Sequence, residues 1–92
     1  MTIALLSIEC YLPMSQSLKD KRMVLRRIKD RLQPLNVAVA EVAHQDLWQR
    51  ATLAVVSVNT DQAHLESTLS AVAGEAATAR DVELVDQQVE LL

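Results

Sequence analysis

Ninety-two residues, half of them apolar and only two aromatic, carry a formal net charge of −3. That apolar content excludes a wholly disordered chain, and the length fits one domain, residues 1–92, burying roughly 60 to 65% of its unfolded surface. The single cysteine excludes an internal disulfide, the single glycine excludes glycine-rich phosphate loops, and no apolar run approaches the roughly 20 residues of a membrane helix.

Taken in chain order, the segment from Ile3 to Leu12 alternates as a strand, with Ala4, Leu6, Ile8, Cys10 and Leu12 on one apolar face and Pro13 ending it. Met1 to Leu12 has neither the basic segment nor the small-residue cleavage site of a secretory signal, so a cytoplasmic protein is expected. Ser17 is placed to cap a helix, with Asp20 three residues on, and Pro34 stops that helix after Leu32 or Gln33. On a helical wheel Leu18, Val24, Leu25, Ile28 and Leu32 form the buried stripe, while Lys19, Arg22, Arg26 and Lys29 line one flank. Lys21 falls, oddly, among the apolar positions.

Leu35 to Val42 and Ala51 to Val58 read as an antiparallel pair of strands around the polar segment Ala43 to Arg50. Asn59 or Thr60 can cap a second helix from about Asp61, burying Leu65, Leu69, Val72, Ala73 and Ala76, with an end that Gly74 leaves open. A last strand runs from about Val82 to Leu91, where Val82 and Leu84 are out of phase with Val85, Val89 and Leu91. The order βαββαβ predicts an α+β, ferredoxin-like sandwich: a four-stranded antiparallel sheet with two helices on one face. A right-handed crossover then brings Ser15–Arg22 to the same rim as His44–Arg50.

Charge is distributed very unevenly. Seven of the nine basic residues lie between Lys19 and Arg31, which with Asp20 and Asp30 gives that segment +5, whereas two basic and ten acidic residues give the remainder −8. One positive face on a negative protein points to an anionic partner.

The segments SQSLKDKRMVLRRIKDRL and VAEVAHQDLWQRATLAVVSV closely resemble the YlxP-like proteins, a small bacterial family of unknown function, and the likeness runs over essentially the whole chain. The family's characteristic positions are here Ser17, Leu18, Lys19, Asp20, Lys21 and Arg22, then His44, Gln45, Asp46, Leu47, Trp48, Gln49 and Arg50. The resemblance implies a ferredoxin-like fold and, because such genes often stand beside those for translation initiation and ribosome maturation factors, an association with RNA or ribosomes. It implies no catalytic residue.

Read for chemistry, Lys19, Lys21 and Arg22 oppose the helix dipole, and an anion at the free N–H groups after Ser17 would reverse that cost, with Arg26 and Lys29 extending the track. Structured or ribosomal RNA held by its backbone is the expected partner, since two aromatics cannot furnish a stacking platform. Trp48 can fold back on the core or an interface, the commoner fate of a lone Trp, or stack on one base. His44, Asp46, Trp48 and Arg50 are candidates for a polar rim cluster, and an acceptor between Glu41 and Trp48, Asp46 first, is expected to hold Lys21.

His44 with Asp46 would make a thin acid and base pair, which leaves an enzyme as a third reading. No cofactor or metal is expected, because the two histidines lie in different elements without paired cysteines. Cys10 reads as a buried structural thiol, and His64 as a helix-surface residue. The open sheet face, expected to show Ile3, Leu5, Val37 and Val39 beside Ser7 and Glu9, predicts a homodimer, with the other strand phase, which turns these valines to the core, as the alternative. The alternative to an RNA-binding accessory factor is a homo-oligomeric module that binds an acidic protein or small anion.

Overall fold

Strict alternation gives the first strand one apolar face for the core, and pairing on both sides makes it central. In the computed structural model, which describes residues 1–92, β1 (Thr2–Tyr11) buries Ala4, Leu6, Ile8 and Cys10 and leaves the intervening side chains half-buried. It pairs antiparallel with β3 (Arg50–Asn59) over all ten residues and with β4 (Glu83–Leu91) on its other side. With β2 (Ala38–Ala43) outside β3, the order is β2-β3-β1-β4. Two helices, α1 (Leu18–Leu32) and α2 (Gln62–Ala77), cover one face, completing the ferredoxin-like βαββαβ arrangement. Neither helix is long and apolar enough to cross a membrane.

The core joins the inward side of β1 to Val24, Leu25, Ile28 and Leu32 of α1, to Leu65, Leu69, Val72 and Ala76 of α2, and to Ala51, Leu53 and Val55 of β3. Ser17 caps α1, its Oγ accepting the Asp20 N–H at 3.0 Å, and the Asp20 carboxylate accepts the Gln16 N–H in return at 3.0 Å. Asp61, rather than Asn59 or Thr60, caps α2 by accepting from Ala63 and His64; Asn59 instead accepts the Asp61 N–H and turns the chain into that cap. Gly74 does not end α2, which continues to Ala77.

Two expectations about the strands are corrected, and a third is explained. First, Leu35 does not begin a strand: Pro34 draws Gln33–Leu35 into a 3-10 turn, closed by Asn36 at φ 58°, a left-handed conformation that Asn tolerates. Second, Val37 and Val39 pack against the core rather than on the open face. The register pairs Val39 with Val55 and Glu41 with Leu53, so this parity of β2 points inward. The open face instead carries Ile3, Leu5, Ser7, Glu9 and Tyr11 of β1 opposite Val58, Val56, Ala54, Thr52 and Arg50 of β3, with Ala38 and Ala40 beyond. Third, the phase change in β4 is a bulge: Glu9 faces Asp86 while Cys10 faces Leu84, leaving Val85 extra. That insertion turns Leu84, Gln87, Val89 and Leu91 to one face and Glu83, Asp86, Gln88 and Glu90 to the other.

Candidate functional site

The rim where α1 begins is built around a buried lysine. Lys21 lies one turn into α1 on its inward side, only 1% exposed, and reaches toward Glu41 of β2 and Arg50 at the start of β3. Its Nζ donates to the carbonyl oxygens of His44 at 2.8 Å, Arg50 at 3.3 Å and Gln45 at 3.4 Å. Three N–H groups thus meet three carbonyls, and Glu41 Oε2 stands 2.8 Å from the same nitrogen, supplying counter-charge as an ion pair without an aligned hydrogen bond. Glu41, not Asp46, is therefore the acidic partner of Lys21. Asp46 is exposed and takes part in no hydrogen bond or ion pair.

The β2–β3 connection is fastened at further points. Leu12 N–H donates to Gln49 O at 2.9 Å, Gln49 Nε2 donates to Pro13 O at 3.2 Å, and Leu47 N–H donates to His44 O at 3.0 Å. His44 adopts φ 62°, one of three left-handed residues in the chain, and its carbonyl serves both Leu47 and Lys21. The segments from Ser15 to Arg22 and from His44 to Arg50 do converge. The convergence is backbone to side chain, so Lys21 serves the fold and its ammonium is already engaged.

The remaining cations of α1 divide into two sets. Arg27 pairs with Asp81 at 3.2 Å, and Arg31 pairs with Glu75 of α2 at 2.9 Å, so these two brace one helix against the other and the segment after it. Lys19, Arg22, Arg26 and Lys29, spaced three, four and three residues apart, form no ion pair at all. That spacing keeps them on the flank of α1 turned away from α2, over about 15 Å of helix. The helix N-terminus itself is less open to an anion than its sequence suggests, because Ser17 and the Asp20 carboxylate already serve it.

The other candidates separate. Trp48 is 54% exposed and does not fold back on the core; with Asp46, Leu47, Gln49 and Arg50 it lines an open concavity at the tip. His44 does not join Asp46: its Nε2 lies 3.8 Å from Glu9 Oε2, while Thr52 Oγ1 donates to Glu9 Oε1 at 2.7 Å. Cys10 is buried, and burial together with the neighbouring Glu9 carboxylate pushes its thiol up to about 11. The expected range Glu41–Trp48 does hold acceptors of Lys21, but they are Glu41 and the carbonyls of His44 and Gln45 rather than Asp46, the first candidate. Sequence reasoning missed the carboxylates that take Arg27 and Arg31 out of the basic surface.

A family model described as a protein of unknown function (DUF503) matches residues 3–89. "Uncharacterized protein YlxP" of Bacillus subtilis (strain 168) is 38% identical over 65 residues, covering 70% of this chain and 71% of that protein. Among solved structures, the designed protein Foldit4 superposes with a TM-score of 0.54 at 10% identity, covering 100% of this chain and 94% of that one. SnoaB, a cofactor-independent oxygenase from Streptomyces nogalater, also gives 0.54, at 12% identity with 99% and 90% coverage. A C-terminal segment of the alpha subunit of aIF2 from Pyrococcus abyssi gives 0.50 at 19% identity, covering 100% of this chain and 49% of that one. At such identities these likenesses establish the fold alone.

Proposed function

Because the chain belongs to the DUF503 family of proteins of unknown function, its surface has to supply the functional reading, and we propose that it is a non-enzymatic binding protein that docks structured RNA, ribosomal RNA foremost, on the ridge of α1. The observation that carries this reading is the row Lys19, Arg22, Arg26 and Lys29, four cations without a carboxylate partner on a chain of net charge −3. Like charges at these helical spacings each cost roughly 0.2–0.5 kcal/mol, a cost that a line of phosphates reverses. The acidic remainder of the surface turns that ridge toward a polyanion and repels it elsewhere.

The open sheet face does not suit RNA. Its strands β1 and β3 present aliphatic side chains with Ser7, Glu9, Thr52 and, at the edge, Arg50, Tyr11 is its one aromatic, and β4 adds Glu83, Asp86 and Glu90 on the same side, so acidic groups outnumber the one cation. Backbone contact along a helix predicts weak sequence preference and strong salt dependence: four phosphates released of counterions give a slope of about −3 to −4 in log affinity against log salt. The test is fluorescence anisotropy with a labelled RNA stem-loop between 50 and 200 mM salt, set on that slope by order of magnitude. A flat salt response would overturn it. Such a partner also makes the cytoplasm the expected site of action.

A second reading concerns the open face. Ile3, Leu5, Val56 and Val58 form an aliphatic cluster there, with Val56 and Val58 exposed. We propose that a second copy covers it, giving a homodimer whose two α1 ridges remain outward.

A further inference from the structure

The concavity at the β2–β3 tip sits on the loop that Lys21 of α1 fastens, and the exposed Trp48 side chain in it is not spent on the core. We propose that Trp48 captures an unpaired nucleobase by stacking, so that the tip selects RNA with a bulged or looped nucleotide while the ridge holds the adjoining backbone. This rests on the RNA reading above and adds the feature of the RNA that is recognised.

Three observations carry it. Trp48, the sole tryptophan, is 54% exposed and Leu47 beside it 47%, so neither is spent on the core. The backbone beneath them is nonetheless pinned: Gln49 O accepts from Leu12, Gln49 Nε2 donates to Pro13, and Lys21 holds the carbonyls of His44, Gln45 and Arg50. A large aromatic on a loop already fixed by its own hydrogen bonds can bind without ordering that loop, as preorganised recognition requires. Third, Lys19 and Arg22 flank Lys21 in α1, so the cationic row begins where the tip is fastened to the helix.

A strand followed along the ridge for about 15 Å spans roughly four nucleotide rises and reaches the tip at its end. There a base that is already unpaired offers both π-faces, whereas a base inside a duplex offers none. Arg50 lines the same concavity and forms no ion pair, which suits the phosphate of that nucleotide.

The test compares two synthetic RNA hairpins that differ only by one bulged adenosine in the stem, binding the full chain at low salt, with Trp48 fluorescence and anisotropy read together. Wild type is expected to bind the bulged hairpin about tenfold more tightly, a factor within the range of a single stacked base, and to show quenching only with that RNA. Trp48→Ala should lose the tenfold difference yet keep the salt-dependent affinity for the perfect stem, and Trp48→Phe should retain most of the difference. Loss of preference confined to Trp48→Ala supports base capture. A preference that survives in Trp48→Ala, or RNA binding without any fluorescence change, overturns it and leaves the ridge reading intact. Failure of both hairpins to bind wild type overturns both. A Trp48→Ala effect on molecular mass by light scattering, with RNA affinity unaltered, would assign the tip to contact between copies and likewise overturn the proposal.

Discussion

Replacing Lys21 with Met should destabilise the protein severely, although Met is apolar and fits the buried passage its stem occupies. The substitution leaves Glu41 without counter-charge and strips an acceptor interaction from His44, Gln45 and Arg50. Breaking a buried ion pair from one side costs about 3–5 kcal/mol. The Glu41 side chain is 18% exposed, so water can reach it once the lysine is gone, which selects the lower end, about 3 kcal/mol. For a chain this short that is about 12 to 24 °C in melting temperature and a large share of a total stability of roughly 5–14 kcal/mol. Urea unfolding followed by far-ultraviolet circular dichroism measures it directly. Adding Glu41→Leu should restore much of the loss, because a buried pair replaced by apolar groups is often neutral. A Lys21→Met protein within about 0.5 kcal/mol of wild type, inside ordinary surface-mutation scatter, would refute the reasoning and reduce the rim to a solvated contact.

Two further outcomes follow from the fold. Cys10, its thiol pushed up to about 11 from 9.0, should stay protonated in the folded chain at pH 9 and react with a thiol reagent only on unfolding. Since the folded value is the higher one, the stabilisation is complete below the unfolded value and is lost as pH rises through the folded one, a decline of at most about 3 kcal/mol that Cys10→Ala should lack. On the open face, Val56→Lys with Val58→Lys should convert a dimer to a monomer in light scattering without altering the circular dichroism. A wild type of monomeric mass across micromolar concentrations would remove the interface.

The fold was legible because its central elements obey one rule each. β1 alternates without exception along its inward face, and α1 shows a single apolar stripe closed by Ser17 and Pro34. β2 was not legible in phase, since Val37 to Val42 is aliphatic on both sides and Glu41 is its only charged residue. In the protein Glu41 turns inward to meet Lys21, and Val37 and Val39 share its parity and pack on the core, which no local pattern records. The broken rhythm of β4 was visible, but its cause, the extra Val85, is a property of pairing with β1. At the site, the ridge of Lys19, Arg22, Arg26 and Lys29 was readable from spacing. The partners that separate it from Arg27 and Arg31 come from α2 and Asp81, about fifty residues away, and the exposure of Trp48 depends on a loop held by tertiary hydrogen bonds.

The central claim is that four unpaired cations on α1 bind RNA, and charge reversal at two of them tests it most directly. Arg22→Glu with Arg26→Glu changes exposed side chains that contact no partner, so the fold should persist by circular dichroism. Affinity for a structured RNA should fall at least a hundredfold at low salt, and what binding remains should show a salt slope shallower by about 2. Equal affinity of wild type and this double variant for the same RNA, at the same low salt, would contradict the account.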